Sequence, residues 1–178
     1  MSILLETGRI ILRRVTLADG KDIARMNSDP QVMRYVGDGK PRSKEISMAG
    51  VRRMLRMYDV YPGLGIWVGE TRRARKFIGI FILTYIPRTV EVEIGYRLPR
   101  ESWGKGYATE GAAALLRYGF EILGLDRIVA VTYPQNRASR HVLEKIGLID
   151  RGVSRYYDKD VTYYVAERAK FRSGTNAA

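Results

Sequence analysis

Hydrophobic and polar positions along this chain follow two different periods, and each period marks a set of separate segments. In Thr89–Leu98 apolar and polar side chains alternate, which is the period of a half-buried strand. In Lys44–Tyr58 apolar side chains recur every three or four positions and form one stripe of a helix. The same two tests predict seven strands, over residues 9–13, 64–70, 77–83, 89–98, 127–132, 148–157 and 162–168. They predict four helices, over residues 19–28, 44–58, 107–123 and 136–146. The chain is therefore expected to be a strand-rich α+β protein.

The length and the composition fit one globular domain. A chain of 178 residues with 46% hydrophobic and 28% charged residues shows ordinary globular usage. Because no repeat or interior linker interrupts the pattern, we predict a single domain over residues 1–172 and a flexible tail over residues 173–178. The longest mainly apolar run, Phe77–Ile86, is about half of the ~20 residues that a membrane-spanning helix needs. Residues 1–6 lack the features of a signal peptide, and a cytoplasmic location with no membrane partner is expected.

The charge is unusual for such a chain. Thirty-one basic residues against 19 acidic residues give a formal net charge of +12. Such a surplus favours an anionic partner, namely a nucleic acid, a membrane surface or a polyphosphate cofactor, although a generally arginine-rich proteome would produce the same count. With one histidine and no cysteine, neither a disulfide framework nor a zinc site of the usual ligands is expected, and we predict no metal.

A glycine-containing turn lies between a predicted strand and a predicted helix at residues 101–108. Gly104 and Gly106 remove side chains where a polyphosphate would approach the backbone, and Lys105 adds a positive charge beside them. The helix that follows offers its unpaired N–H groups and the positive end of its dipole. A tight turn without any ligand would explain the same pattern. Neither a P-loop nor a complete dinucleotide fingerprint is present.

A second polar pair lies at the next strand–helix junction. Asn136 and Ser139 are three residues apart at the start of a predicted helix, so both face the same way. Asn136 would also serve as an ordinary N-cap, which is the simpler explanation when the pair is taken alone. Taken together, the two junctions present polar groups on one edge of the sheet, and one elongated, phosphate-bearing ligand would span both.

Several motifs in this order resemble the GNAT acetyltransferase superfamily, and within it the RimJ/RimL-type branch of ribosomal-protein N-terminal acetyltransferases and their relatives. The matching segments are Thr7–Arg13, the strand of Trp67, Glu93–Tyr96, Trp103–Glu110, Asn136–Ser139 and Glu144–Leu148. The resemblance extends over about residues 6–168. It implies a GNAT fold, with a strongly twisted, mixed seven-stranded sheet that splays between its fourth and fifth strands. It also implies acetyl-CoA as a co-substrate bound in that opening.

The resemblance implies a role for each matching residue. The backbone N–H groups of one run would hold the pyrophosphate: Trp103, Gly104, Lys105, Gly106, Tyr107 and Ala108. Backbone groups of Tyr96 and Leu98 would pair with the pantetheine arm as an added strand does. Asn136 would bond the same arm from the far side, and Ser139 would lie near the sulfur.

The implied reaction is direct acetyl transfer from the thioester to an amine. Glu93 is our candidate for the general base, provided that burial raises its pKa; the competing hypothesis is an exposed face on which Glu91 and Glu93 pair with arginines. Leu143 stands where many members of the superfamily carry a tyrosine acid. Ser139 is the substitute that the branch suggests, and Tyr133, Tyr156 and Tyr157 stay open, as does unassisted departure of the thiolate. The N–H of Tyr96 would stabilise the oxyanion.

The acceptor has more than one interpretation. A protein N-terminal α-amine is our first hypothesis, and a small-molecule amine such as an antibiotic, a polyamine or an amino acid is the alternative. The arginine surplus and the missing tyrosine acid also allow a non-catalytic module that senses acetyl-CoA or docks on RNA, and contact with the ribosome or its RNA fits the charge. Either a monomer or a homodimer is compatible with the chain. An acidic groove near Glu91 and Glu93 would support a cationic acceptor.

Overall fold

The computed structural model describes residues 2–171, and the tail predicted over residues 173–178 lies outside them. The strands are β1 (Ile3–Glu6), β2 (Ile10–Arg14), β3 (Gly65–Thr71), β4 (Phe77–Tyr85), β5 (Val92–Arg97), β6 (Arg127–Thr132), β7 (Ile149–Tyr156) and β8 (Lys159–Glu167). The helices are α1 (Gly20–Ser28), α2 (Pro30–Met33), α3 (Lys44–Val60), α4 (Tyr107–Glu121) and α5 (Arg137–Lys145). The α+β class is confirmed.

All strands join one sheet in the order β1-β2-β3-β4-β5-β6-β8-β7. Seven of them correspond to the predicted strands, and β1 is an additional short strand at the edge, antiparallel to β2. Helix α2 is also additional, a single turn that begins at Pro30 with the Asp29 side chain as its N-cap. Both are too short to give a clear hydrophobic period, which is why the pattern missed them.

Helices cover both faces of the sheet. On one face Ile23 of α1 and Val51 of α3 pack with Val68 and Ile80 of the central strands. On the other face α4, which carries several glycine and alanine residues, lies very close to the sheet. A Cβ atom at Gly111 would lie 2.2 Å from the Phe81 ring, so glycine is required there for this approach. The close contact fixes the position of the N-terminal turn of α4 relative to the strands.

The sheet opens between β5 and β6. All other neighbours in the sheet are antiparallel, whereas β5 and β6 run parallel and pair at a single position, Glu93 opposite Val129. On its other edge β5 pairs with β4 at six positions. The splay expected between the fourth and fifth predicted strands is therefore confirmed. Beyond Glu93 the edge of β5 is free to pair with an extended ligand.

Two further properties concern residues 2–171 only. Within this range no helix combines the length and the apolar character required to cross a membrane. Nor does it contain a group of three or more histidine, cysteine, aspartate or glutamate side chains arranged to hold a metal ion.

Candidate active site

A cavity of about 940 Å³ fills the opening between β5 and β6, and we call it the cleft. Its walls come from the C-terminal part of β5, from β6, from the first turns of α4 and α5, and from the loop after α2. The tip of the β7–β8 hairpin lies on one side. The predicted site residues that line the cleft are Glu93, Tyr96, Leu98, Trp103, Gly104, Gly106, Tyr107, Ala108, Asn136 and Ser139. Lys105 belongs to the same turn and has an exposed side chain.

The turn predicted at residues 101–108 follows a short 3-10 helix, Arg100–Ser102, and we call residues 103–108 the phosphate turn. Gly104 has φ +70° and Gly106 has φ +76°, both in the left-handed region that favours glycine. No heavy atom lies within 4 Å of the place where a Cβ of Gly104 would be, so the turn is open there. Helix α4 begins directly after Gly106, and the N–H groups of its first turn have no partner within the helix. These features fit a pyrophosphate held by backbone donors of residues 104–108. The Trp103 N–H was expected to be a further donor, but it is bonded to the Arg100 carbonyl at 3.0 Å, where it closes a short 3-10 turn.

The phosphate turn is held from outside by a cluster that the sequence pattern did not reveal. Glu110, in the first turn of α4, accepts hydrogen bonds from Thr7 Oγ1 at 2.6 Å and from Arg9 Nε at 2.6 Å. Arg9 also donates to the carbonyl of Lys105 at 3.0 Å, and its guanidinium lies 5.3 Å from the centre of the Tyr107 ring. The N-terminal β1–β2 connection therefore fixes the turn. The only sequence signal is that Arg9 and Glu110 both belong to the motifs of the resemblance.

The second predicted junction lies across the cleft, at the start of α5. The Asn136 side chain accepts a hydrogen bond from the Ser139 N–H at 3.2 Å, so its N-cap role is real. The Tyr96 hydroxyl lies 3.2 Å from Ser139 Oγ, and 3.2 Å from the Ser139 carbonyl oxygen. Burial raises the pKa of Tyr96 to about 12, so this hydroxyl keeps its proton at neutral pH. Tyr96 was expected to contribute backbone groups, and the structure adds a protonated hydroxyl beside Ser139.

Glu93 lies at the point where β5 and β6 separate. Its carboxylate is partly buried and accepts a hydrogen bond from the Tyr157 hydroxyl at 2.5 Å. Burial raises the pKa of Glu93 to about 7, against the opposing effect of hydrogen bonds from Tyr157 and from the backbone of Val131. A carboxylate with such a pKa can accept a proton and release it near neutral pH.

The alternative hypothesis, an exposed face of glutamates paired with arginines, is wrong. Glu91 accepts hydrogen bonds from the Tyr156 and Tyr163 hydroxyls, and Glu93 is bonded by Tyr157. The two carboxylates also differ in position, because Glu93 lines the cleft and Glu91 does not. No acidic groove is formed by the pair.

The structure gives different hydrogen-bond partners to the three tyrosines that were candidates for the general acid. Tyr133 donates its hydroxyl proton to the carbonyl of Gly37 at 2.8 Å, and Tyr156 donates to Glu91 at 2.5 Å. Tyr157 contacts the proposed base, so its hydroxyl is positioned to tune Glu93. Ser139 and Tyr96 are left as the pair of hydroxyls on the α5 side of the cleft.

Tyr157 occupies an unexpected backbone position. The sequence pattern placed Tyr157 at the end of a strand, but the hairpin turn consists of Tyr157 and Asp158, with φ +53° and φ +59°. Both values are those of a two-residue turn of type I′, which normally selects asparagine, aspartate or glycine. The bond from Tyr157 to Glu93 is the tertiary contact that accompanies this uncommon conformation.

The fold and the site fit one class of protein. A split sheet, a glycine turn at a helix start and a carboxylate with a pKa near 7 agree with the acyl-CoA-dependent acyltransferases that the motifs resemble. Residues 9–149 match the family model described as an acetyltransferase (GNAT) domain. The chain belongs to the GNAT acetyltransferase family, and the superfamily to which its motifs point is confirmed.

Similar proteins agree on the family and differ in their described acceptors. An uncharacterized N-acetyltransferase, YoaA, of Bacillus subtilis (strain 168) is 35% identical over 86% of this chain and 87% of its own length. An FsC-acetyl coenzyme A-N(2)-transacetylase of Aspergillus fumigatus is 34% identical over 70% of this chain and 55% of its own length. The solved structure of RimL, a ribosomal L7/L12 alpha-N-protein acetyltransferase in complex with coenzyme A, superposes with a TM-score of 0.78 at 16% identity, covering 93% of this chain and 98% of that chain. The chain is thus an acetyl-CoA-dependent N-acetyltransferase with the fold of RimL.

Proposed function

We propose that this enzyme transfers the acetyl group of acetyl-CoA directly to a primary α-amine, with Glu93 as the general base. The observation that carries the proposal is a carboxylate of pKa about 7 at the point where the sheet opens. An α-amine has a pKa of about 8 and a lysine side chain one of about 10.4. A base that titrates near 7 matches the α-amine more closely.

Each step of the proposed mechanism uses a group described above. Acetyl-CoA supplies the thioester; the backbone N–H groups of the phosphate turn bind its pyrophosphate, and the free edge of β5 orients its extended arm. Glu93, directly or through one water molecule, accepts the proton that the ammonium group must lose before it attacks. The N–H of Tyr96 donates to the carbonyl oxygen as negative charge develops there. Ser139 or the Tyr96 hydroxyl gives a proton to the departing thiolate and takes up the second proton that the attacking nitrogen loses as the amide forms. Asn136 helps to position the arm.

The proposed acceptor is a protein N-terminus, and a small-molecule amine is the alternative. RimL, whose fold this chain shares, is described as acting on an alpha-amine of a ribosomal protein. The Aspergillus relative is described by an N(2)-transacetylase activity instead. Both descriptions are compatible with the cleft, because an α-amine presented on a peptide or on a small molecule can reach the same carboxylate.

Release of free thiol from acetyl-CoA tests the proposal. The acceptor panel contains N-terminal peptides, peptides with an internal lysine, polyamines and aminoglycosides, and acetyl-CoA binding is measured in parallel by calorimetry. Glu93→Gln should lower kcat by about 100-fold or more at pH 7, while acetyl-CoA still binds, because a positioned base contributes roughly that factor. The matched control is Glu45→Gln, at an exposed position on α3 that does not line the cleft. If the Glu93→Gln enzyme turns over every acceptor at the wild-type rate, Glu93 is not the general base.

A further inference from the structure

The charged side chains that line the cleft are mostly cations. They are Arg34, Arg97 and Lys159, with Glu93 as the only carboxylate among the described residues of the cleft. None of the three cations forms an ion pair within residues 2–171. Instead Arg34 lies 5.2 Å from the centre of the Tyr35 ring, and Lys159 lies 5.7 Å from that of Tyr133. The cleft therefore attracts anions and repels cations, contrary to what a cationic acceptor would require.

Arg97 differs from the other two cations because it has a buried nitrogen without a hydrogen-bond partner. It shares a face of β5 with Glu93, because side chains four residues apart on a strand point the same way. Its terminal nitrogen donates to Asn27 Oδ1 of α1 at 2.7 Å, and its Nε is buried with no hydrogen-bond partner. Burial, together with the nearby positive charge of Arg42, lowers the pKa of Arg97 to about 10, so the group is still charged at neutral pH. A buried guanidinium without a carboxylate is costly unless a ligand supplies the missing partner.

A second buried arginine in the same protein shows how such a charge is normally satisfied. Arg13 contacts both Asp19 at 2.6 Å and Glu70 at 2.5 Å, and all three side chains are buried. Arg97, by contrast, donates a hydrogen bond only to the neutral amide oxygen of Asn27. The difference between the two arginines indicates that the counterion of Arg97 arrives from solution.

The coenzyme A phosphates are the obvious rival for that counterion, and the topology disfavours them. The phosphate turn leads into α4, which packs on the face of the sheet opposite α1. The Arg97 side chain points to α1, since it bonds Asn27. It is thus on the same side as Glu93, where the acceptor amine must approach.

We propose that the amine acceptor carries an anionic group, a carboxylate or a phosphate, which Arg97 binds while the amine faces Glu93. This inference rests on the proposed function. The Cα atoms of the two residues are about 13 Å apart, at roughly 3.3 Å per strand residue, and both side chains line the cleft. This distance between Glu93 and Arg97 fits an acceptor whose amine and anionic group are separated by several bonds. Both an acidic residue near a peptide N-terminus and a small phosphorylated or carboxylated amine have this chemistry.

Matched acceptor pairs test the proposal without any mutation. Thiol release is compared for the peptide amides Ala-Asp-Ala-Ala and Ala-Asn-Ala-Ala, for glucosamine 6-phosphate and glucosamine, and for spermidine. The anionic member of at least one pair should have a kcat/KM about ten- to a hundredfold higher, since a hydrogen bond to a charged group contributes that much. Which pair shows the preference distinguishes a peptide acceptor from a small molecule. Spermidine should be the poorest substrate.

Variants of Arg97 then assign the preference to this side chain. Arg97→Gln should abolish the difference within the pair and raise KM for the anionic acceptor, with KM for acetyl-CoA unchanged. Arg97→Lys should keep part of the preference, because the charge remains while the planar fork is lost. Arg53→Gln, at an exposed position on α3, is the matched control and should behave as the wild type.

Three outcomes would overturn the inference, and they are distinguishable. Equal rates within every pair, or a preference for spermidine, would reject the anionic acceptor and leave the transferase intact. A higher KM for acetyl-CoA in the Arg97→Gln enzyme, with the acceptor preference unchanged, would assign Arg97 to the coenzyme. No thiol release with any acceptor would reject the proposed function itself, and the inference with it.

Discussion

The two sides of the cleft are built in different ways. The phosphate turn presents backbone N–H groups of residues 104–108, and it is followed at once by a helix whose dipole points at the same place. The opposite side, which we call the acceptor wall, consists of Glu93, Arg97, Tyr157 and Lys159. These side chains come from β5 and from a hairpin about 60 residues later in the chain, and only the fold brings them together.

This difference explains what each side can recognise. In the proposed mechanism the backbone donors bind the same pyrophosphate whatever the acceptor is, so the phosphate turn serves the co-substrate. Side chains carry the charge and the titration behaviour that distinguish one amine from another, so we propose that the acceptor wall selects the substrate. A change on one side should therefore affect acetyl-CoA binding, and a change on the other side should affect the acceptor and the pH dependence.

The largest effect is expected from a side chain placed in the phosphate turn. Gly106→Val should weaken acetyl-CoA binding by about 100-fold or more, because valine at φ +76° is strongly disfavoured and several N–H donors would be displaced together. Calorimetric titration with acetyl-CoA measures the affinity. Gly124→Val is the matched control, since Gly124 also has a positive φ, +66°, but lies beyond the C-terminal end of α4. Similar binding by the Gly106→Val and Gly124→Val proteins would contradict a site made of backbone donors.

The two hydroxyls on the α5 side should give the next largest effect, and only in combination. Ser139 Oγ and the Tyr96 hydroxyl are 3.2 Å apart, and in the proposed mechanism either one protonates the thiolate when the other is missing. Ser139→Ala and Tyr96→Phe should each lower kcat by about twofold, and the double variant by about tenfold. The factor is modest because a thiol has a pKa of about 8.5 and leaves with little assistance. A single variant as slow as the double one would identify that hydroxyl as the sole acid.

Tyr157→Phe should change the pH dependence of the acceptor wall more than its maximal rate. The Tyr157 hydroxyl bonds the ionised form of Glu93 and so lowers its pKa, which burial has raised to about 7. Removing this half-exposed bond should move the apparent pKa up by about one unit, after allowance for solvent screening. The ionised carboxylate is the active form, so activity at pH 7 should fall about fivefold and recover near pH 9.

The pH profile of kcat/KM with one acceptor measures this shift, because the titration of the amine is then common to both enzymes. Tyr61→Phe serves as the control, since Tyr61 is an exposed ring that packs against Tyr85 and does not line the cleft. An unchanged profile in the Tyr157→Phe enzyme would mean that Tyr157 does not tune the base.

The two sides of the cleft also differ in how far the sequence predicts them. The phosphate turn was predictable because glycine at positive φ, a cation and a helix start are consecutive in the chain. The splay followed from the family resemblance, and Glu93 was a candidate because one strand presents it beside the cleft. Its partner Tyr157 was not predictable, since a tyrosine in a type I′ turn contradicts turn preferences and is accompanied by a contact with a residue 64 positions away. Arg97 gave no signal either, because its missing counterion is visible only after packing.

The smallest effect is expected from Arg9, and it shows whether contacts from distant residues help to hold the phosphate turn. Arg9 and Glu110 tie it to the β1–β2 connection. Arg9→Gln removes the guanidinium bonds to Glu110 and to the Lys105 carbonyl and leaves the bond from the Arg9 backbone N–H to Glu110. Because the guanidinium is more than half exposed, at 56%, these bonds contribute only about 0.2–1 kcal/mol. Acetyl-CoA affinity should therefore fall about two- to fivefold, with the acceptor preference and the pH profile unchanged. Calorimetry measures this change against Arg72→Gln, where the lost pair with Glu6 is at 3.4 Å and does not touch the turn.

The loss of acetyl-CoA affinity in the Arg9→Gln protein shows whether the two sides of the cleft differ in their dependence on distant residues. If the Arg9→Gln protein binds acetyl-CoA as the Arg72→Gln protein does, the turn is held by its glycines and by α4 alone, and the contrast with the acceptor wall is complete. If the loss approaches that of the Gly106→Val protein, the turn also depends on residues about 100 positions away, as the acceptor wall does. In that case the difference between the two sides is one of chemistry, backbone donors against side chains, and not of distance along the chain.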